Sequence, residues 1–261
     1  MINMNQLHSK QNYKNALISF NNSTHEKRWK IFKDSHMEVS KGRCPICECL
    51  LDGQNIRPTN SSQPHTLIAT IDHYRPQSTS MYPKLKYDHL NYLLMCSDCN
   101  NVYKENFFPL YSNGNRREQN VSSTACIKQE KPLIVNPIYD IPFNLFKIQF
   151  KIDENTSKKV LELSPKHQNG YLYEKAKTTI TFFSLGSPKN TKNPNVENFR
   201  VLLLNKHYNA FKNILFKLNG RKLDDLVLND QKSIYSIIME NNLNNFGFLK
   251  SILLGEYEDF T

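Results

Sequence analysis

Four of the six cysteines fall in two pairs with the same gap, Cys44-Pro-Ile-Cys47 and Cys96-Ser-Asp-Cys99. A two-residue gap lets two thiolates reach one ion at about 2.3 Å without backbone strain, and tetrahedral Zn²⁺ takes four such ligands. The spacing therefore predicts a structural zinc held by Cys44, Cys47, Cys96 and Cys99, with no coordination position left open. Two alternatives stand beside it. The pairs are unrelated buried cysteines, or they are redox couples, which a reducing compartment disfavours. Cys49 is close enough to compete with Cys47, but the Cys-Pro-Ile-Cys turn fits better. Cys126 sits in a polar loop and reads as a free thiol.

Whatever lies between the knuckles is folded back and stapled by such an ion, and it contains Asp72-His73. On a strand these neighbours point to opposite faces. At a strand end entering a loop, both can turn toward a common ion and its water. An Asp-His pair in isolation is more often an ordinary surface pair. Here Arg75-Pro76 follows it, Asn91 precedes the second knuckle, Asn100 comes directly after Cys99, and Lys104 lies one turn further on.

These residues need elements to position them. Residues 1–38 carry apolar residues at three- and four-residue spacing and read as largely helical, with Trp29, Ile31 and Phe32 packing inward. The stretch Thr66–Tyr74 is β-rich and predicts a strand ending near His73. The later part of Asn91–Asn106 reads as a helix. Downstream, "LFKIQFKID" and "KKVLELS" have strand periodicity and are expected to pair as a hairpin. A helix is predicted over "GYLYEKAKTTITFFSLG", closing at Gly186, then a polar linker, a long helix stopping at Gly220, and short helices to Thr261. The fold class expected is α+β. A soft boundary near residue 140 separates residues 1–140, which hold the chemistry, from a mostly helical region, 141–261, for DNA positioning or partner docking.

With 261 residues the chain can bury a substantial core. It has no apolar run long enough to span a bilayer and no apolar signal-peptide core, so the expectation is a cytoplasmic protein without a membrane partner. Net charge is +10 and the pI is about 9.2. That balance favours a polyanionic partner, DNA, RNA or an acidic protein surface; solubility and an AT-rich genome rich in Lys and Asn codons explain it equally well.

Together the motifs resemble the HNH endonuclease family with its ββα-metal core. The likeness covers about residues 43–109: a first CxxC, Asp72-His73, Asn91, then a second CxxC followed by Asn100 and Lys104. Further on, Leu133-Ile134-x-x-Pro137-x-x-Asp140-x-Pro142 resembles a subgroup, the HNH nuclease subunit of Septu-type anti-phage systems, including those found with some retrons. The resemblance implies roles by position. His73 matches the general base that activates water, and Asp72 an acidic ligand of a catalytic Mg²⁺ or Mn²⁺. Asn91 matches the central Asn that braces the loop and orients the histidine. Asn100 matches the last motif position, a second ligand that is His in many members; an amide oxygen there suits a hard ion better than imidazole does. Lys104 would contact a phosphate or balance the developing charge, and Arg75 would do the same. The partners implied are DNA, or RNA, and an ABC-type ATPase; the chain itself has no GxxxxGK[ST] loop.

The chemistry is consistent with that likeness. Phosphodiester hydrolysis needs an activated water, a sink for developing charge and help for the leaving 3′-oxygen, and a neutral imidazole is a suitable base near pH 7. The competing reading is a zinc-stapled nucleic-acid-binding or adaptor module without activity. Asp72, His73, Asn91 and Asn100 separate the two, because a pure binder has no need of them. His65 and His89 flank the site and read as surface residues. Arg116-Arg117, Lys84 and Lys86 are weaker candidates for backbone contact.

Overall fold

A computed structural model describes residues 1–22, 28–52, 54–55, 65–111, 118, 120–152 and 159–185. The architecture is α+β, built from helices and three small two-stranded antiparallel sheets. The elements run α1 (Gln11–Asn22), α2 (Lys33–Ser40), β1 (Gln54–Asn55), β2 (His65–Thr66), β3 (Ala69–His73), β4 (Tyr92–Cys96), β5 (Phe146–Ile152), β6 (Lys159–Pro165) and α3 (Gly170–Phe182). A wide helical segment, Asp98–Lys104, follows β4 at once.

The N-terminal helices form where expected, and aromatic residues decide how they pack. Tyr13 and Phe20 are two turns apart on α1, hence on one face. Both reach Phe32, at ring separations of 5.1 and 5.3 Å, and Phe32 in turn packs 5.6 Å from Tyr92 of β4. α2 stops because Lys41 and Gly42 take left-handed conformations (φ 54° and 70°), and Gly42 N–H closes onto Met37 O at 2.9 Å. That reversal delivers the chain into the Cys44 loop.

β3 and β4 pair from Ala69↔Cys96 to His73↔Tyr92. Every residue of β4 is buried, since α2 packs on it and the wide helix folds back from its end. The hairpin Phe146–Ile152 with Lys159–Pro165 pairs as predicted. α3 docks on the segment before it: Thr179 Oγ1 accepts Val135 N–H (3.0 Å), and Tyr171 donates to Pro132 O (3.0 Å). Leu145, Phe146, Leu163, Ala176 and Phe183 belong to the same buried cluster as β4, so the core continues across residue 140. α3 ends at Phe182, and Ser184 takes φ 54°. Gly186, the linker, the long helix to Gly220 and the C-terminal helices lie outside the described residues. No helix among the described residues is long and apolar enough to cross a membrane.

Candidate metal centre and the adjoining polar cluster

Cys44, Cys47, Cys96 and Cys99 converge from three places: the loop after α2, the end of β4 and the start of the wide helix. All four are buried, and their sulfurs lie within 4.8 Å of one another. Cys47 Sγ stands 3.7 Å from Cys96 Sγ. A tetrahedron with bonds of about 2.3 Å has edges of about 3.8 Å, so the spacing suits an ion such as zinc. Backbone amides point at the sulfurs: Cys96 N–H to Cys44 Sγ and Cys99 N–H to Cys96 Sγ, each 3.3 Å. Burial opposes ionisation of Cys47, yet hydrogen bonds from Cys44, Cys49, Cys96 and Cys99 pull its pKa well down. The same crowding pushes Cys96 well up, because one dry pocket cannot hold several thiolates without a cation. Cys49 is buried beside the four with its sulfur toward Cys47 O (3.9 Å), and stands outside the set; Cys126 is exposed.

The placement of the cysteine centre fixes what comes next. The wide helix crosses the face of β3 that carries Thr70 and Asp72. Asn100 Nδ2 donates to Thr70 Oγ1 (3.1 Å), and Thr70 Oγ1 donates to Met95 O (3.0 Å). Lys104 Nζ lies 2.7 Å from Asp72 Oδ2 and donates to His73 O at 2.9 Å. Glu105 N–H bonds Asn100 O at 2.7 Å, five residues back. This wider turn is a form often found at functional sites. Thr70 and Asp72 are two apart on the strand, so Asn100 and Asp72 lie on the same face of β3. Asp72 Oδ2 is buried and makes no well-aligned hydrogen bond. Lys104, expected at a phosphate, is fully enclosed instead, with its ammonium engaged by Asp72 and His73 O.

His73 points to the other face. Its ring is held edge-on between Trp29 and Tyr92, each 5.3 Å away. Nε2 lies 2.9 Å from Lys86 O. A carbonyl can only accept, so Nε2 carries the proton and Nδ1 the lone pair. Burial lowers the His73 pKa and outweighs the carbonyl bond and the Asp72 charge, so the ring is neutral at pH 7. Asn91 is fully buried and braces the strand end: its Oδ1 accepts Arg75 N–H (2.8 Å), its Nδ2 donates to Arg75 O (2.9 Å), and its own carbonyl accepts Tyr74 N–H (2.7 Å).

Arg75 is buried, with Nε 2.9 Å from Glu130 Oε2 and the guanidinium 5.5 Å from the Tyr74 and Phe108 ring centres. It turns away from the Asp72 face, into a cleft under the 124–140 segment. His89 is tied to Tyr13 OH (2.8 Å) as a packing residue. Lys84 is exposed, and Arg116-Arg117 lies outside the described residues. Thr70, Trp29 and Glu130 escaped sequence reading as site residues. Thr70 carried a usable signal, its place two residues before Asp72; Glu130 carried none, because only the fold brings it to Arg75. Neither a protein-family model, nor a curated protein, nor a solved structure matches this chain.

Proposed function

We propose that the chain is a metal-dependent HNH endonuclease with a ββα-metal core that hydrolyses phosphodiester bonds in DNA. In this reading Cys44, Cys47, Cys96 and Cys99 hold a structural Zn²⁺. The observation that carries it is His73: a neutral ring, its tautomer fixed by Lys86 O, next to Asp72 in the chain but on the opposite face of β3. Nδ1 is then free to take the proton of an attacking water. Asn91 holds the strand end, so the ring is aimed without local flexibility. Asp72, a carboxylate that shares a face of β3 with Thr70, and Asn100, whose amide nitrogen is held by Thr70 so that its oxygen points elsewhere, supply hard oxygen donors of the kind such a cation takes. When bound, Mg²⁺ or Mn²⁺ would offset charge on the phosphate and assist the leaving 3′-oxygen. Lys104 acts from behind, tying the Asp72 carboxylate to the His73 carbonyl.

The likeness of Leu133–Pro142 to Septu-type subunits supports a role as nuclease effector in anti-phage defence, with an ABC-type ATPase as partner and a cytoplasmic location. A second reading, a zinc-stapled binding or adaptor module without catalysis, draws on one observation: the Lys104 ammonium already neutralises Asp72. Supercoiled plasmid incubated with the chain and Mg²⁺, Mn²⁺ or EDTA separates them, alone and with the ATPase. Nicking that needs metal and is lost in His73→Ala is expected. Binding without cleavage of DNA or RNA by either preparation favours the module.

A further inference from the structure

A cavity of about 340 Å³ opens on the side of the Asn91 brace away from Asp72, between the end of β3, the 124–140 segment and α3. Its size is within the range of small-ligand sites. Its walls combine flat apolar surface, from the rings of Tyr74 and Tyr139, with polar groups that converge. Donors outnumber acceptors among these groups. Arg75 uses Nε for Glu130, and its two terminal nitrogens meet no acceptor among the described residues. Asn136 accepts from Ile138 N–H through Oδ1 (3.0 Å), while its Nδ2 donates to none of them. Thr124 Oγ1 is buried without a partner. The one carboxylate in the wall, Asp140, is already engaged: both oxygens lie 2.7 Å from Lys175 Nζ, and Oδ2 also accepts Asn136 N–H at 2.7 Å. Arg75, Asn136 and Lys175 are each more than nine-tenths buried, so these donors are preorganised.

We propose that this cavity is a separate binding site for a small phosphomonoester with a flat ring body, of the nucleoside monophosphate class. An unused guanidinium fork and an amide suit a phosphate's acceptor oxygens. The Glu130 pairing and the flanking rings hold the fork still, and Tyr139, half exposed at 51%, offers a face to a base. The site does not depend on whether the chain is a nuclease. Its floor is nonetheless the backbone that Asn91 ties to the strand end of His73, so an occupant would stiffen that end.

Calorimetric titration of the full chain with AMP, adenosine and inorganic phosphate tests the site. Saturable AMP binding is expected, at least roughly tenfold tighter than adenosine or phosphate alone. Ala125 is exposed at the wall, so Ala125→Trp should fill the cavity without disturbing the core and abolish the binding. Arg75→Lys keeps the charge, removes the fork, and should weaken AMP by roughly tenfold. His73→Ala should leave AMP binding unchanged. No saturable AMP binding, or binding that Ala125→Trp leaves intact in a folded protein, overturns the site. Equal affinity for phosphate and AMP overturns the ring-bearing ligand.

Discussion

The cysteine centre and the Asp72 cluster sit at opposite ends of one strand pair, and they are built on opposite principles. The first is dry and closed: four identical soft ligands, all buried, with backbone amides already aimed at the sulfurs. The second has a few hard oxygen donors, with a lysine ammonium on the Asp72 carboxylate as the counter-charge. A closed centre stores its binding energy in the fold, while an open one leaves it for substrate and a loosely held ion. Losing the first should therefore cost structure, and losing the second only chemistry.

The largest effect expected tests the closed side. Cys96→Ser removes one of the four candidate ligands, at the junction of β4 and the wide helix, and structural zinc sites contribute on the order of 10 kcal/mol of apparent folding energy. The variant should lose its metal and unfold the region carrying Asp72, His73 and Asn100. Metal content and circular dichroism read this directly; a stable, metal-free Cys96→Ser protein would erase the distinction drawn between the two ends. His73→Ala tests the open side. Loss of a general base costs typically 10²- to 10⁴-fold, so cleavage should fall by about that factor with zinc content and melting temperature near wild type. Normal cleavage by this variant would remove His73 from the mechanism.

Acid should strike the scaffold at His36. His36 is fully buried beside Phe32, and burial holds its pKa down at about 4, against 6.5 when free. The unfolded chain therefore takes up the proton first. Stability is fully present above pH 6.5 and is lost as pH falls toward 4, by about 3 kcal/mol in all from this group. Urea denaturation at pH 7 and pH 5 should show the loss, and His36→Phe should flatten that slope. An equally steep slope in His36→Phe would assign the acid sensitivity to other groups.

How much of this was legible in sequence differs between the same two regions. The cysteine centre was readable because its information is local: each pair carries its own spacing, and only the joining of the pairs needed the fold. The hairpin of β5 and β6 was readable for the same reason, through alternation along each strand. The relation of Asp72 to His73 was not. Both remain inside the paired strand, so they face opposite ways, and the shared turn toward one ion that a strand end would permit is absent from the described geometry. Lys104 and Arg75 looked like phosphate contacts because cations near an active-site motif usually are. Their burial against Asp72 and Glu130 depends on long-range packing that spacing does not encode.

The smallest expected effect examines the joint between the regions. Thr70 Oγ1 accepts from Asn100 Nδ2 and donates to Met95 O, so one hydroxyl sets the amide's orientation on the face of β3. Thr70→Val keeps the shape and β-propensity and removes both bonds, at a stability cost of about 1 kcal/mol. With its nitrogen released, the Asn100 amide can rotate, and its oxygen is no longer the fixed outward end. The closed centre, which begins at the neighbouring Cys99, should not notice: metal content stays at wild type. The open cluster should, as a rise in the Mg²⁺ concentration needed for half-maximal cleavage, with little change at saturating Mg²⁺. A wild-type Mg²⁺ requirement in a folded Thr70→Val protein would mean that Asn100 is held by the wide helix alone, and that the cysteine end positions the open cluster without help from the strand.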